Sequence, residues 1–492
     1  MTMGANSDYQ KGLELAEAGR HQEALIHIQE YLRENPDDVQ AMNDAGAILH
    51  CLGRPKEAID HIVRARSFNG NSVEIIWNLA EAYIAAGEAK QAAQLLDDME
   101  RMGILSADVL NRIANVFFNQ NDKANAMEML LRSLEMSPQQ EVLKPMLQVI
   151  RSKRPKIAFF CGGDGMTFLN EIVDFAKQRF EVRIFEGKTK EELYELMQWS
   201  DISWFEWCTD LAVIASNLPK VCKNIVRLHR YEAYLHWPQQ INWQNIDMLI
   251  TVGNSFVKDA LLKQVPNIEN ITRLISIPNG VNLEKFKFVD RQRGRNIAFP
   301  GNFRMVKNPA FVLQCIQKLH YMDPQYRLFF GGIFQDEALE QYVKHIVDAL
   351  ELGGVVFFDG WQKDINSWLA DKHYIISTSI IESQGMGLLE GMACGLKPVI
   401  HNFPGASQIF PSEFLFNISE DFCQQVLSDK YEPCRYRKFV EENYSLKKQL
   451  GEINRIFTGY EAEVALKFRS GETPEKLSSG LGVPAFAGNK FV

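Results

Sequence analysis

The N-terminal part of this chain, up to Gln140, repeats one pattern four times in a single register. Small residues recur at Gly12, Gly46, Ala80 and Ala114, and again at Ala24, Ala58, Ala92 and Ala126. Large apolar residues recur at Ile28, Ile62, Leu96 and Leu130, and at Leu15, Leu49, Tyr83 and Phe117. Turn residues recur at Gly19, Gly53, Gly87 and Asn121, and Pro36 and Pro138 close the first and fourth segments. Small residues let two helices approach closely, and large ones fill the gap between neighbouring pairs. No such pair buries its apolar face alone, so the pairs must stack. Helix–turn–helix units are expected at 5–38, 39–72, 73–106 and 107–140, followed by a capping helix over 141–151 that Pro145 interrupts. Stacked units make an extended concave surface. The sequence reading is a groove for a peptide or protein partner, with a rigid spacer or oligomerisation surface as the alternative.

The period, about 34 residues, and the pattern resemble the tetratricopeptide repeat. Beyond Lys153-Arg154-Pro155-Lys156 the periodicity changes. Short apolar runs at 156–161, 181–185, 202–205, 224–228, 248–251 and 273–277 alternate with helical stretches. A polar stretch at 290–295 intervenes, and a second such series starts at 296–299 and ends at 397–400. This alternation is the pattern of parallel sheets covered by helices, α/β in class. The expected domains are 1–152 (helical repeats), 153–289 and 290–457 (two Rossmann-like, doubly wound units), and 458–492 (a largely disordered tail, rich in Gly, Ser and Pro from Gly471). Ligands of such sheets bind beyond the carboxyl ends of the strands.

Composition narrows the function. A net charge of −9 argues against nucleic acid as the main partner. The eight cysteines contain no CxxC pair, which argues against a zinc site or a disulfide framework. There is no apolar run of about 20 residues and no signal-peptide pattern at the start, so a cytoplasmic location is expected. Peripheral contact with the inner membrane face stays open through Lys220, Lys223, Arg227 and Arg230, with a solvated charge run as the alternative.

The most informative segment runs from Tyr374 to Ile400, where a strand leads through Glu382 to a glycine-marked helix start. The amides of Gly385, Met386, Gly387 and Leu388, with the helix dipole, offer a cradle for a diphosphate. Glu390 follows Glu382 by a little over two helical turns, placing it to accept from ribose hydroxyls while Glu382 reaches the sugar ring. With Gly395 and Pro398 behind them, these residues resemble the E-x7-E signature of family 4 retaining glycosyltransferases, which have the GT-B fold. Two glutamates on a buried Rossmann helix are the alternative.

Three further segments are similar to that family. Ile277-Pro278-Asn279-Gly280-Val281 resembles its turn before the interdomain linker and brings Asn279 to the donor. Gly301-Asn302-Phe303-Arg304-Met305-Val306-Lys307 occupies the loop whose Arg and Lys neutralise the donor diphosphate; Lys307 matches the lysine. Asn302 stands at the arginine position, a departure that Arg304 compensates. His229, at the end of its strand, resembles the histidine that faces the donor sugar, with a core or capping histidine as the alternative. The loop Gly162-Gly163-Asp164-Gly165 resembles the family's glycine pair; Gly162 and Gly163 are assigned to the donor, Asp164 and Glu232 to the acceptor side. The stretch Trp204-Phe205-Glu206-Trp207 reads equally as a sugar-stacking platform or as core.

The resemblance implies a metal-independent, retaining transfer from a UDP- or GDP-sugar, with Glu382, His229, Lys307 and Arg304 as the catalytic set. No D-x-D lies in either α/β domain, in keeping with no obligatory cofactor. The repeats point to a protein acceptor or a partner-bound glycan. Competing readings are a polysaccharide or lipid acceptor, a sugar-nucleotide epimerase or phosphorylase, and a non-catalytic scaffold with a decayed domain.

Overall fold

The computed structural model describes residues 3–469 apart from Asp164, and the chain divides into two compact units between Arg154 and Pro155. In the first unit each repeat forms a helical pair: α1 (Met3–Glu17) with α2 (His21–Glu34), and α3 (Val39–Cys51) with α4 (Pro55–Phe68). In the third repeat, α5 (Val73–Ala86) precedes a second helix divided into α6 (Ala89–Gln94) and α7 (Leu96–Arg101). The fourth pair is α8 (Ala107–Asn119) and α9 (Lys123–Met136). The recurring turn residues Gly19, Gly53, Gly87 and Asn121 have φ of 75°, 71°, 76° and 60°, the left-handed conformation that ends a helix. The side chains of Asp38, Ser72, Ser106 and Asp122 cap the helices that follow them, each contributing about 1 kcal/mol. A Cβ on Gly46 would sit 2.3 Å from Cγ1 of Ile62, so the small column is where the paired helices touch. The last helix of the unit, α10 (Leu143–Ser152), is continuous. Pro145 does not interrupt it, because it lies in the first turn, where the missing amide has no helical partner to lose.

The second unit holds two parallel sheets of six strands. The first consists of β1 (Lys156–Cys161), β2 (Glu181–Ile184), β3 (Ile202–Glu206), β4 (Lys223–Leu228), β5 (Met248–Thr251) and β6 (Arg273–Ser276), in the order β2-β1-β3-β4-β5-β6. The second consists of β7 (Asn296–Pro300), β8 (Arg327–Gly331), β9 (Val356–Gly360), β10 (Tyr374–Ser377), β11 (Lys397–His401) and β12 (Leu415–Phe416), in the order β12-β11-β10-β7-β8-β9. Successive residues of the central strands serve opposite faces. Ile157 and Phe159 enter one core of the first sheet, and Ala158 and Phe160 the other. The second sheet divides Ile297 and Phe299 from Ala298 in the same way. Being buried on both faces is why these strands read as continuous apolar runs.

The chain's last described helix, α11 (Leu446–Arg469), returns to the first sheet. Ile453, Phe457 and Tyr460, spaced for one helix face, are buried in the core of Phe159, Phe180 and Trp204. The ring of Phe457 lies 5.5 Å from that of Phe180 and 5.9 Å from that of Trp204. Residues 458–469 therefore continue an ordered helix, where the sequence reading expected the start of a disordered tail; residues beyond 469 lie outside the described ones. Among the described residues no helix is long and apolar enough to cross a membrane.

Candidate active site

Beyond the carboxyl end of β10 the chain crosses a loop and enters the helix Met386–Ala393. Gly385 caps that helix at φ 75°, ψ 56° with no side-chain cap, so its first amides stay unclaimed by the protein's own side chains. A Cβ on Gly387 would lie 3.3 Å from Pro300, which places the helix start against the end of β7. Glu382 accepts from the hydroxyl of Ser379 at 2.8 Å and forms an ion pair with the ammonium of Lys307. The Lys307 loop is fastened to the same place: Thr378 donates to the carbonyls of Lys307 and Asn308 at 3.0 and 2.9 Å. The structure thus brings Lys307, Glu382 and Gly385–Leu388 together.

Glu390, on the same helix, is partly buried and its carboxylate makes no hydrogen bond among the described residues. Burial pushes its pKa up to about 7; Lys285 pulls it down, and Glu171 pushes the same way as burial. Arg304 and Asn302 are exposed, and Arg304 has no ion-pair partner among the described residues. Arg304 is therefore an unneutralised cation on the same loop as Lys307.

The first sheet contributes a buried polar assembly at the ends of β3 and β4. His229 follows β4, and its Nε2 lies 2.7 Å from Oε1 of Glu206. The same oxygen accepts from Arg227 at 2.9 Å, and Oε2 accepts from the indole of Trp204 at 2.8 Å. Burial alone would raise the Glu206 carboxyl; Arg227 and His229 outweigh it and lower its pKa to about 2. The imidazole packs against Trp207 (centroids 4.1 Å apart) and Phe168 (5.3 Å). Trp207 has φ 74°, an outlier for a bulky residue, and its indole donates to the carbonyl of Gly165 at 3.1 Å.

Several assignments change. Glu232 does not face an acceptor: it is fully buried, and its Oε1 accepts from the amides of Cys208 and His229, both at 3.1 Å. It pins the backbone around His229, and burial raises its pKa. Asn279 is largely buried, with its side-chain oxygen and both backbone polar groups taken up within the protein. Its side-chain oxygen accepts from Arg227, its amide donates to Gln384 at 2.8 Å, and its carbonyl accepts from Gln384 at 2.6 Å. The basic group considered for lipid contact does not form, because Arg227 is fully buried and Lys220 and Lys223 pair with Asp247 at 2.9 and 3.1 Å. A Cβ on Gly163 would meet nothing within 4 Å, and one on Gly162 would approach only Asp210 and Leu211, so neither glycine is demanded by packing. Asp164 lies outside the described residues. Of the stretch 204–207, Trp204 and Phe205 are core and Trp207 lies on His229.

Sequence reasoning missed the residues that join the halves. Asn254 donates through its amide to the carbonyl of Ser383 and through its side chain to that of Glu382, each at 3.0 Å. Gly253, at φ 109°, would place a Cβ 2.5 Å from the Ser383 oxygen. Gln384 and Asn254 therefore hold the Glu382 loop to the first sheet. The available signal was a charge inside each of two apolar strands, Glu206 and Arg227, which are register partners on neighbouring β3 and β4. Among the described residues no group of His, Cys, Asp and Glu is arranged to hold a metal. A cavity of about 520 Å³ lined by Gln314, Lys318, Tyr321 and Tyr342 includes none of the residues above.

Comparison with known proteins agrees with the fold. Residues 282–421 match the family described as glycosyl transferases group 1, and residues 9–72, 52–102 and 107–140 match tetratricopeptide repeat families. The chain carries a group 1 glycosyl transferase domain behind a tetratricopeptide repeat region, and its α/β part has the GT-B fold. It is 24% identical over 205 residues to the putative glycosyltransferase EpsD of Bacillus subtilis (strain 168), which covers 37% of this chain and 53% of that protein. The chain therefore spans about half the length of that curated relative. Among solved structures, Anabaena HepE in complex with UDP is 14% identical with a TM-score of 0.50, covering 62% of this chain and 100% of that one. A glycosyltransferase from Rickettsia africae ESF-5 is 15% identical with a TM-score of 0.50, covering 62% and 98%.

Proposed function

We propose that this chain is a retaining glycosyltransferase that moves a sugar from a UDP- or GDP-sugar to a protein, or to a partner-bound glycan, presented by the repeats. The observation that carries the reading is the Lys307–Glu382 pair at the head of a helix with unclaimed amides, beside the unneutralised Arg304. A nucleotide-sugar offers two phosphates to such a place. The amides of Met386 and Gly387, with Lys307 and Arg304, bind the diphosphate and stabilise the charge that grows on it as the sugar leaves; the Leu388 amide, also expected there, already donates to the Gly385 carbonyl at 3.0 Å. Glu390 accepts from the ribose hydroxyls. Glu382, released from Lys307 when phosphate takes the ammonium, supports the sugar ring electrostatically, and His229 bonds a sugar hydroxyl.

In the transfer step the acceptor oxygen forms its bond to the anomeric carbon on the face from which the phosphate departs. The bond from that carbon to the phosphate oxygen breaks. The acceptor proton passes to a donor phosphate oxygen, and nucleoside diphosphate leaves. Two side-chain cations and a helix terminus supply the neutralisation that a divalent ion supplies elsewhere, so the reaction is expected to run in chelator.

The test is NMR-monitored turnover of UDP-, GDP-, ADP-, dTDP- and CMP-sugars in chelator, for wild type and Glu382→Ala. UDP-sugars come first, since HepE of the same fold was solved with UDP. Slow release of one sugar as the donor's own anomer, lost in the variant, supports the reading. Release of the opposite anomer rejects retention, an absolute requirement for Mn²⁺ or Mg²⁺ rejects metal independence, and no turnover even with lysate as acceptor source rejects the enzyme.

A further inference from the structure

His229 is held from every side by this chain itself. Its ring lies between Trp207 and Phe168, its backbone amide is bonded by Glu232, and its Nε2 meets Glu206. Trp207 keeps its place there although its backbone is left-handed, a conformation that persists only where the surroundings over-determine it. The carboxylate of Glu206 is fully buried and saturated by donors: Arg227 and His229 on one oxygen, Trp204 on the other. Nδ1 of His229 has no partner among the described residues.

We infer that Glu206 is the positioning residue for His229: clamped by Arg227 and Trp204, it holds the imidazole in the Nε2–H tautomer and presents Nδ1 as the free acceptor for a hydroxyl of the transferring sugar. The reason is the donor and acceptor inventory. An ionised carboxylate only accepts, so the ring nitrogen facing it must carry hydrogen. Neutral imidazole has one N–H, so fixing it at Nε2 leaves Nδ1 with a lone pair. Arg227 has a second task in the same place. One nitrogen bonds Glu206 and the other bonds Asn279, which Gln384 ties to the loop of Glu382. The residue that sets the histidine is thus linked through Arg227, Asn279 and Gln384 to the loop of the carboxylate proposed to face the same sugar.

The functional half of this inference rests on the transferase reading; the tautomer half does not. The test uses the full chain with ¹⁵N-labelled histidine, and the His229 signals are assigned by their loss in His229→Gln. Wild type is expected to show a pyrrole-type Nε2 and a pyridine-type Nδ1. Glu206→Gln alone leaves Arg227 uncompensated and is prone to misfold. The informative protein is therefore Glu206→Gln/Arg227→Met, which removes both charges and keeps the volume. An amide can donate as well as accept. With Trp204 taking its oxygen, its NH₂ faces His229 and favours hydrogen on Nδ1. In the double variant the tautomer is expected to shift or mix. Turnover of the donor identified by the panel should fall about tenfold in kcat, the equivalent of about 1.4 kcal/mol, with KM within about twofold, because the nucleotide contacts are untouched. A wild-type Nδ1–H tautomer, or a folded double variant with an unchanged tautomer and rate, overturns the inference. A shifted tautomer with an unchanged rate overturns the role in transfer while leaving the enzyme reading intact. If no donor is turned over, the enzyme reading fails, and the tautomer result still decides what Glu206 does.

Discussion

Replacing Glu390 by Gln should make the protein more stable and a worse binder, and the two effects should share one pH dependence. The Glu390 carboxyl stands at 4.5 in the unfolded chain and at about 7 in the fold. Between these values the folded state holds a proton that the unfolded chain has released, so wild-type stability falls as pH rises from 4.5 to 7 and levels off above it. At about 1.4 kcal/mol per pH unit the full cost of the ionised form is about 3 kcal/mol, reduced to about 2 by solvent at the exposed edge. Glu390→Gln escapes that cost. It should match wild type near pH 4 and exceed it at pH 8 by about 2 kcal/mol, which is about 4–8 °C in Tm for a domain of this size. Differential scanning of both proteins at pH 4, 6 and 8 reads this directly, since all other titrating groups cancel in the difference. If the ionised carboxylate holds the ribose, wild-type affinity for UDP, measured by titration calorimetry, should fall as pH drops below 7, by up to about tenfold per unit. The variant should bind weakly and without that slope. A variant no more stable at pH 8 than wild type, or one that keeps the wild-type pH slope for UDP, would refute the assignment of an unpaired, proton-holding Glu390.

Three other outcomes follow from the geometry. Lys307→Ala removes a cation proposed to meet the diphosphate and should lower kcat by about 100-fold or more in the turnover assay, with a change in stability under about 1 kcal/mol because the ion pair is partly exposed. Gly253→Ala forces a Cβ toward the Ser383 oxygen from a left-handed backbone; it should cost about 1–3 kcal/mol in chemical denaturation and reduce turnover by displacing the Glu382 loop. Phe457→Ala empties a fully buried ring site between Phe159, Phe180 and Trp204 and should cost about 3–5 kcal/mol, with loss of hydrogen-exchange protection in β1 and β3 if the helix truly covers the first sheet.

What the sequence disclosed and what it hid divide along a physical line. The repeat unit is local: Gly46 meets Ile62 across a single turn, so a fixed spacing suffices to read it. The cradle at Gly385–Leu388 is local in the same sense, because one strand end and one helix start place Glu382 and Gly385 together. Lys307 could be placed there only through its resemblance to a known motif, since its contact with Glu382 spans 75 residues. The boundary at Phe457 fell short for the same reason. The helix face of Ile453, Phe457 and Tyr460 finds its partner in Phe159, on the first strand of the first sheet, with the whole second sheet lying between them in sequence. Nothing nearby in the chain announces that the helix should continue past Phe457.

The buried chain from His229 to the Glu382 loop is the extreme case. Its five members, Glu206, His229, Arg227, Asn279 and Gln384, come from two strand ends, a linker turn and a loop of the second sheet. Each alone has an ordinary explanation, and Arg227 in particular reads as a surface cation until the register places it opposite Glu206. Burying an ion pair this deeply is a poor way to gain stability, since replacing such pairs with apolar side chains is often neutral or better. A pair kept fully buried at the carboxyl ends of two parallel strands, with both partners bonded onward toward the residues proposed to face the sugar, is better explained by what it positions. That argument makes the apolar replacement informative: Glu206→Leu/Arg227→Leu removes the desolvation cost of the pair but strands the Trp204 indole N–H and the Asn279 side-chain oxygen, so it should cost about 1–3 kcal/mol in chemical denaturation, and turnover should fall further than that loss explains because His229 loses its orientation.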